Sequence, residues 1–189
     1  KRKRYIEAIY NKSMHVSKLI DDLFELAKLD FRETGLDLKN TDLGEFLRDM
    51  AAEHYEQIED KGFGLELHIP KDRVIRMVDR KEMTRAVSNI IVNAIRHNPP
   101  GTSILAGLYD MPDRTYIVIA DSGAGIPEDI RDSVFDPFVK ADGSRSSGGT
   151  GLGLAIARKI VEKHGGTLVL DDGSGPLIRK LRQDGPESG

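Results

Sequence analysis

Apolar residues recur every three or four positions over residues 5–29, and this spacing predicts one long helix. The seam of the helix consists of Ile6, Ile9, Ser13, Val16, Ile20, Leu23 and Ala27. At about 1.5 Å per residue the helix would be roughly 38 Å long, which is long for a helix on a small domain. We therefore expect it to pack on partner helices; the alternative is an amphipathic helix that lies on its own domain.

Two capping-box patterns predict further helices after a connector over residues 31–40. Asp42 and Glu45 open a helix of about 19 residues. Asp79 and Glu82 open another, which is stopped by a Pro-Pro-Gly sequence.

Alternating apolar and polar residues predict strands between and after these helices. We expect residues 64–69 and 73–78 to form a hairpin, and residues 102–108 and 115–120 to form a second strand pair. The elements predicted to close the chain are a helix, two short strands and a disordered tail, over residues 152–164, 167–170, 176–181 and 183–189.

The composition narrows the class of protein. Of 189 residues, 39% are apolar and 31% are charged, as in a globular protein with a well-solvated surface. The formal net charge of -3 argues against nucleic-acid binding driven by bulk charge. Without cysteine there are no disulfides, thiolate zinc sites or cysteine nucleophiles, which is compatible with a reducing compartment. No apolar run is long enough to span a bilayer, and a sequence that begins at Lys1 rather than Met indicates a fragment of a longer protein.

Residues 148–157 join a glycine-dense loop to an apolar, helix-forming stretch. Glycines let the backbone approach a ligand closely, and the first turn of a helix offers unpaired N–H groups and the positive end of its dipole. Together they predict an anion site, most naturally for phosphate; a flexible connector is the alternative. The loop lacks the Gly-Lys-Ser/Thr of a Walker-type loop and lies too late in the chain for a dinucleotide fingerprint.

Asn89, Asn93 and Arg96 share one side of the second capped helix, away from the apolar side that suits a core. Two asparagines in mid-helix lower its helix propensity, and at i and i+4 they point the same way. Their carbonyl oxygens suit a hard cation such as Mg²⁺, which takes few protein ligands and keeps waters and phosphate oxygens. A solvated polar face is the alternative.

Asp121 ends a predicted strand and is followed by Gly123 and Gly125. A carboxylate accepts hydrogen bonds only, so beside a tight turn it suits an exocyclic amino group such as that of adenine. An aspartate that caps the turn is the alternative.

The aromatic pair Phe135 and Phe138 is expected to anchor the next segment in the core. Residues 139–148 are mostly small, polar and glycine-rich, which predicts a mobile lid before the phosphate-binding glycines. Lys140 and Arg145 lie in this segment, where they could meet phosphate oxygens.

Four stretches stand in order along the chain: Asn89-Ile-Ile-Val-Asn93-Ala-Ile-Arg96-His97, Asp121-x-Gly123-x-Gly125, Phe135-Asp-Pro-Phe138 and Gly149-Thr-Gly151-Leu-Gly153. They resemble the N, G1, F and G2 boxes of bacterial sensor histidine kinases, and four boxes in this order are highly specific. The resemblance implies the Bergerat ATP-binding fold, an α+β two-layer sandwich with helices on one face of a mixed sheet. The first helix resembles the second helix of the family's dimerisation hairpin.

The resemblance also implies roles for individual residues. Asn93 resembles the Mg²⁺ ligand and Asp121 the adenine-recognising carboxylate. Arg96 and Lys140 match basic positions near the phosphates, and His97 stands where the family often has an aromatic residue near the nucleotide. The residues expected to bind ATP are Asn89, Asn93, Arg96, His97, Asp121, Gly123, Gly125, Ile126, Lys140, Gly149, Thr150, Gly151, Leu152 and Gly153. No catalytic residue is assigned within the chain.

The resemblance implies a protein-histidine kinase whose phosphoacceptor lies elsewhere, since His15 is followed by Val16 and does not match the acceptor motif. The expected cofactors are ATP and Mg²⁺. The expected partners are the phosphoacceptor helix of the parent kinase and a response regulator, with a homodimer in the full protein and no nucleic acid. We expect a cytoplasmic location, with a membrane reached only through missing parts of the parent. The alternatives are a non-catalytic nucleotide-binding regulatory module, or a related Bergerat-fold ATPase or serine kinase.

The expected units are the second dimerisation helix, a linker, the ATP-binding catalytic domain and a tail, over residues 1–30, 31–40, 41–182 and 183–189. The family usually closes with a longer strand rich in Thr and Phe, and residues 173–182 match it poorly. The sheet edge there is therefore expected to be short or altered.

Overall fold

The structure is a computed structural model that describes residues 2–31, 35–140, 149–171 and residue 175. Its helices are α1 (Arg2–Phe31), α2 (Leu43–Asp60), α3 (Arg80–His97) and α4 (Gly153–Lys163). Its strands are β1 (Lys39–Asp42), β2 (Gly64–His68), β3 (Ile75–Val78), β4 (Ser103–Asp110) and β5 (Thr115–Asp121). A short 3-10 turn covers Glu128–Ile130.

The two predicted capping sites are confirmed at the starts of α2 and α3. The Asp42 carboxylate accepts hydrogen bonds from the backbone N–H groups of Gly44 and Glu45. The Asp79 carboxylate caps α3 in the same way. It accepts a further hydrogen bond from the backbone N–H of Asp37, at 3.1 Å, so the linker after α1 is tied to the start of α3. Side-chain caps of this kind satisfy the N–H groups that a helix leaves unpaired at its first turn.

The strands form two sheets. β2 pairs in parallel with β4, and β4 pairs antiparallel with β5, which makes a mixed sheet in the order β2-β4-β5. β1 and β3 form a separate antiparallel pair. The expected hairpin of residues 64–69 and 73–78 is therefore wrong, because these strands belong to different sheets. Local alternation predicts an extended segment, but it does not specify which distant strand will be its partner.

The main core lies between α2, α3 and one face of the three-stranded sheet. It consists of Leu43, Phe46, Leu47, Met50, Ile58, Phe63, Val74, Val87, Ile91, Ala94, Ile95, Ile104 and Leu108. Burial of each large aliphatic or aromatic side chain of this kind contributes about 1.5–3 kcal/mol. This arrangement confirms the expected α+β sandwich with helices on one face of a mixed sheet.

A second apolar cluster joins α1, α3 and α4. It is formed by Leu29, Ala86, Leu152, Ile156, Ala157 and Ile160. Leu29 of α1 is only 4% exposed in this cluster. The last turns of α1 are thereby packed against α3 and α4.

An ion pair continues the same contact between α1 and α3. Arg85 donates to Glu25 at 2.5 Å. Hydrogen bonds from Lys28 and Arg85 hold the pKa of Glu25 below its usual value, against the opposing effect of partial burial. The last turns of α1 thus contact α3 and α4, whereas Tyr5 and Ile9 near the start of α1 are exposed.

The predicted strand over residues 167–170 is wrong, because the chain there has no regular structure and Val169 is 71% exposed. A strand needs a neighbouring edge to pair with, and these residues pair with no strand of either described sheet. The predicted strand over 176–181, the tail over 183–189, and Arg145 with most of the lid lie outside the described residues. Among the helices that the structure describes, none is long and apolar enough to cross a membrane.

Candidate functional site

A cavity of about 520 Å³ lies between α3 and the loop that precedes α4, and α1 forms part of its wall. Almost all of the residues predicted to bind ATP line it; the exceptions are Asp121, Gly123 and Leu152. Leu152 is fully buried in the cluster between α1, α3 and α4 instead. Segments that are far apart in the sequence therefore meet around one space.

The wall formed by α3 carries the amide groups of Asn89 and Asn93 and the guanidinium of Arg96. Val87 and Ile91 of the same helix are buried in the main core. The rotation of about 100° per residue in a helix predicts this placement of polar and apolar side chains on different sides of α3. The polar side of α3 therefore faces the cavity because its apolar side is held by α2 and the sheet.

A buried histidine fixes α3 against α2 beside this wall. His54 is bonded to the Met50 carbonyl through Nδ1, at 2.9 Å, and to the Ser88 hydroxyl through Nε2, also at 2.9 Å. A carbonyl only accepts, so Nδ1 donates and Nε2 accepts from the hydroxyl. Ser88 directly precedes Asn89, so this hydrogen bond helps to set the position of the first asparagine.

The glycine-dense loop lies close to the polar side of α3. A Cβ on Gly149 would lie 3.0 Å from Nη1 of Arg96, which is a tight contact, and a Cβ on Gly153 would lie 3.5 Å from the side-chain oxygen of Asn89, which is an ordinary one. The backbone N–H groups at the start of α4 are thereby brought next to the amides and guanidinium of α3. A helix start and a nearby guanidinium both favour a bound anion.

Gly151 holds the loop against Phe138, the second residue of the aromatic pair. Its φ of +75° lies in the left-handed region, and its carbonyl accepts a hydrogen bond from the Phe138 N–H at 2.8 Å. Phe138 itself has a φ of +68° and is 57% exposed, so the expectation that both aromatic residues anchor in the core is wrong for Phe138. Phe135 is half-buried, and the Arg158 guanidinium lies 6.0 Å from the centre of its ring.

The charges around the cavity favour an anionic ligand. Among the described residues of its lining, Lys18, Arg96 and Lys140 are cationic and Asp22 is the only carboxylate. Desolvation by neighbouring atoms lowers the pKa of His97 below its usual value although the residue keeps an exposed surface, and the positive charge of Arg96 lowers it further. The net charge of this lining is positive whichever form His97 takes, because three cations outnumber one carboxylate.

The loop after β5 supplies another wall through Gly125 and Ile126, but Asp121 is not part of it. The Asp121 carboxylate is exposed and accepts a hydrogen bond from the Gly123 N–H at 3.0 Å, which caps the turn. A Cβ on Gly123 would lie 1.6 Å from the side-chain oxygen of Asn98, so a larger residue there would have to displace the Asn98 side chain. Adenine recognition by Asp121 therefore stays a prediction.

The oxygen donors of the cavity lining suit a magnesium ion that is also held by phosphates better than a metal ion that is held by protein side chains alone. The described residues contain no group of three or more His, Cys, Asp or Glu side chains that could hold a metal ion. Asn93 offers an amide oxygen to the cavity, and Mg²⁺ is commonly held by one or two protein oxygens together with phosphates and waters. The residues present fit a metal that arrives with a phosphate ligand.

The sequence interpretation missed Lys18 and Asp22, and also apolar lining residues such as Val92, Ile130 and Val139. A lysine and an aspartate four residues apart on a helix are typical of a solvated face. Their place in the site depends on the docking of α1, which no local pattern indicates.

The family model described as histidine kinase-, DNA gyrase B-, and HSP90-like ATPase matches residues 78–180. The sensor protein GtcS of Aneurinibacillus migulanus is 38% identical over 159 residues, which cover 84% of this chain and 43% of GtcS. The chain spans about a fifth to about a half of the length of curated relatives that it matches.

Solved structures give the same result. The mycobacterial sensor histidine kinase MprB is 31% identical with a TM-score of 0.62, and the match covers 73% of this chain and 89% of that one. The histidine kinase ThkA, solved with the response regulator protein TrrA, is 26% identical with a TM-score of 0.68, over 88% of this chain and 46% of that one. The described fold and the sequence comparisons therefore agree.

Proposed function

Because the chain belongs to the histidine kinase-, DNA gyrase B-, and HSP90-like ATPase family, we propose that its cavity binds ATP with Mg²⁺. In the parent protein the chain then serves as the catalytic portion of a sensor histidine kinase, the class to which its relatives belong. It transfers the γ-phosphate of ATP to a histidine outside this chain. The observation that carries the proposal is the cavity itself, where asparagines, cations and a glycine loop meet at a helix start.

The phosphate end of the nucleotide is assigned to the loop before α4. The close approach of Gly149 to Arg96 supports this assignment, because backbone N–H groups and a guanidinium can then share the same phosphate oxygens. Lys140 lines the cavity from the base of the lid and adds a second cation there.

Magnesium is assigned to Asn93, whose side chain is an oxygen donor on the cavity wall. When bound, the ion would neutralise charge on the phosphate oxygens. In phosphoryl transfer the protein acts mainly by positioning the reactants and stabilising charge, which the asparagines and cations of the cavity wall can do.

The partners are also part of the proposal. A response regulator is supported by the similarity to ThkA, which was solved together with such a protein. The phosphoacceptor helix of the parent kinase is the expected substrate. A homodimer of the full protein remains a proposal that the exposed apolar residues near the start of α1 support, among them Tyr5 and Ile9.

The first experiment is a calorimetric titration of the chain with ADP and with a non-hydrolysable ATP analogue, each with and without Mg²⁺. We expect binding that strengthens with the ion. Asn93→Ala should remove the magnesium dependence and weaken binding by about tenfold or more, the value of one charge-assisted contact of roughly 1.5–3 kcal/mol. Asn40→Ala is the matched control, because Asn40 is an exposed residue of β1 and lies outside the lining of the cavity. Undiminished, magnesium-dependent binding by the Asn93 variant would refute the metal assignment.

Asp121→Asn tests adenine recognition, because an amide can donate where a carboxylate only accepts. It should weaken ADP binding but leave inorganic triphosphate binding unchanged. Equal ADP affinity in the variant and the unaltered chain would contradict the assignment.

Kinase activity is tested by adding a phosphoacceptor helix in trans and measuring phosphohistidine. Nucleotide binding without phosphate transfer would instead support a regulatory module.

A further inference from the structure

The site described above includes two residues that lie outside the segment matched by the family model. Lys18 and Asp22 belong to α1, whereas the matched segment runs from residue 78 to residue 180. The two residues are four positions apart, so they lie on the same face of α1. That face is the one directed to the cavity.

A hydrogen bond joins this face of α1 to the glycine-dense loop. The Thr150 hydroxyl donates to Oδ2 of Asp22 at 2.7 Å, although the two residues are 128 positions apart in the sequence. Thr150 is only 5% exposed and lies between Gly149 and Gly151. The contact is therefore made at the part of the cavity to which the phosphates are assigned.

Two more contacts on the same side fix α1 along its axis. Glu25 is paired with Arg85 of α3, and Leu29 is buried against α4. Asp22, Glu25 and Leu29 are spaced by three and four residues, as on one face of a helix. These contacts set the rotation of α1 and its position along its own axis. Lys18, one helical turn before Asp22, thereby lines the cavity.

Lys18 is the one cation that α1 contributes to the described lining of the cavity. It is exposed and forms no ion pair with any carboxylate in the part of the chain that the structure describes. Asp22, in contrast, is occupied by the Thr150 hydroxyl. A polyphosphate bound in the cavity, whose lining also includes Arg96 and Lys140, would therefore find the ammonium group of Lys18 available.

We propose that α1 is part of the nucleotide site, with Lys18 as a binding residue for the terminal phosphates and Asp22 as the anchor that holds α1 on the loop. The proposal rests on the proposed ATP binding and extends it beyond the family segment. The contribution of Lys18 should increase with the number of phosphates, because an ammonium group attracts charge rather than a base or sugar. It should also decrease with ionic strength, since Lys18 is exposed to solvent.

The test is a calorimetric titration of the full chain with adenosine, ADP and a non-hydrolysable ATP analogue. Lys18→Met should weaken binding of the ATP analogue by about two- to fivefold at low salt, as for an exposed charged contact, and leave adenosine binding unchanged. Lys12→Met is the matched control, because this substitution removes the same charge from the same helix. Lys12 lies on a separate apolar surface, together with Tyr5 and Ile9.

Asp22→Asn separates the charge of the anchor from its hydrogen bond. An amide oxygen can still accept from Thr150, so α1 stays docked, while the loss of a negative charge beside the phosphates should strengthen binding by up to about threefold. Asp21→Asn, one position away on α1, is its control.

The outcomes distinguish the two levels of the proposal. If the unaltered chain binds none of the three ligands, the proposed function itself fails. If it binds the ATP analogue but Lys18→Met binds equally well, or if Lys12→Met loses as much affinity, α1 is not part of the site and only the present inference fails. A loss confined to Lys18→Met, larger for the ATP analogue than for ADP, supports it.

Discussion

Replacement of Gly151 by alanine tests whether the close contact between the glycine loop and Phe138 is required. Alanine at a φ of +75° carries a conformational cost of about 1–2 kcal/mol, which any left-handed glycine shares. At Gly151 the added Cβ would also lie 3.0 Å from Cα and 3.1 Å from the carbonyl carbon of Phe138. These are backbone atoms, which cannot swing away as the end of a flexible side chain can.

Gly165 provides the comparison. Its φ of +76° is nearly the same, but no atom lies within 4 Å of a Cβ placed there. Gly165→Ala should therefore show the conformational cost alone. Gly151→Ala should show that cost plus about 1–3 kcal/mol for the overpacked contact, so the difference between the two variants isolates the contact itself.

Both variants are compared with the unaltered chain by urea denaturation and by titration with a non-hydrolysable ATP analogue. We expect Gly151→Ala to lose more stability than Gly165→Ala and to bind the analogue more weakly, because the loop and the backbone of Phe138 are pushed apart. Gly165→Ala should bind normally. Equal stability losses and equal affinities in the two variants would refute the requirement for close contact.

Three further predictions concern stability and are measured by urea denaturation. Leu29→Ala should cost about 2–4 kcal/mol by opening a cavity between α1 and α4, whereas Leu23→Ala, at an exposed position of the same helix, should cost about 0.5 kcal/mol or less; equal losses would mean that α1 is not docked. Asp79→Ala should cost about 1–2 kcal/mol through loss of the α3 cap, and an unchanged stability would contradict the capping role. Desolvation lowers the pKa of His97 in the folded chain, so as the pH falls through 6.5 the unfolded chain takes up a proton before the folded chain does. The free energy of unfolding of the unaltered chain should therefore decrease below pH 6.5, and that of His97→Gln should decrease less. Parallel curves of stability against pH for the two proteins would contradict this effect.

The parts of the fold that could be predicted from the sequence are those with a local cause. Asp42 and Asp79 mark helix starts because a capping carboxylate lies within three residues of the N–H groups that it satisfies. The strand partners were not predictable in this way. β2 and β3 have similar alternation, but their partners, β4 and β1, lie in other parts of the chain. The sequence does not predict β1, because Lys-Asn-Thr-Asp has no apolar alternation; its first two residues fall in the predicted linker and Asp42 at the predicted helix cap.

The candidate site shows the same division. Asn89, Asn93 and the glycines lie in short motifs whose spacing points to a phosphate ligand, and the structure brings them to one cavity. Lys18 and Asp22 were missed because their position depends on the docking of α1 through Leu29 and its neighbours. A charge that enters a site through tertiary contact leaves no spacing pattern to recognise.

The parallel pairing of β2 with β4 has a consequence for folding. Parallel neighbours cannot be joined by a tight turn, and here the connection between them contains β3 and all of α3. The central sheet can therefore close only after a large loop has been ordered, and formation of the sheet and of the asparagine-bearing wall becomes one cooperative event. A cut between β2 and β3 would leave two fragments that each lack half of this pair. Neither fragment can be expected to form the cavity alone, whereas the two together could reassemble it.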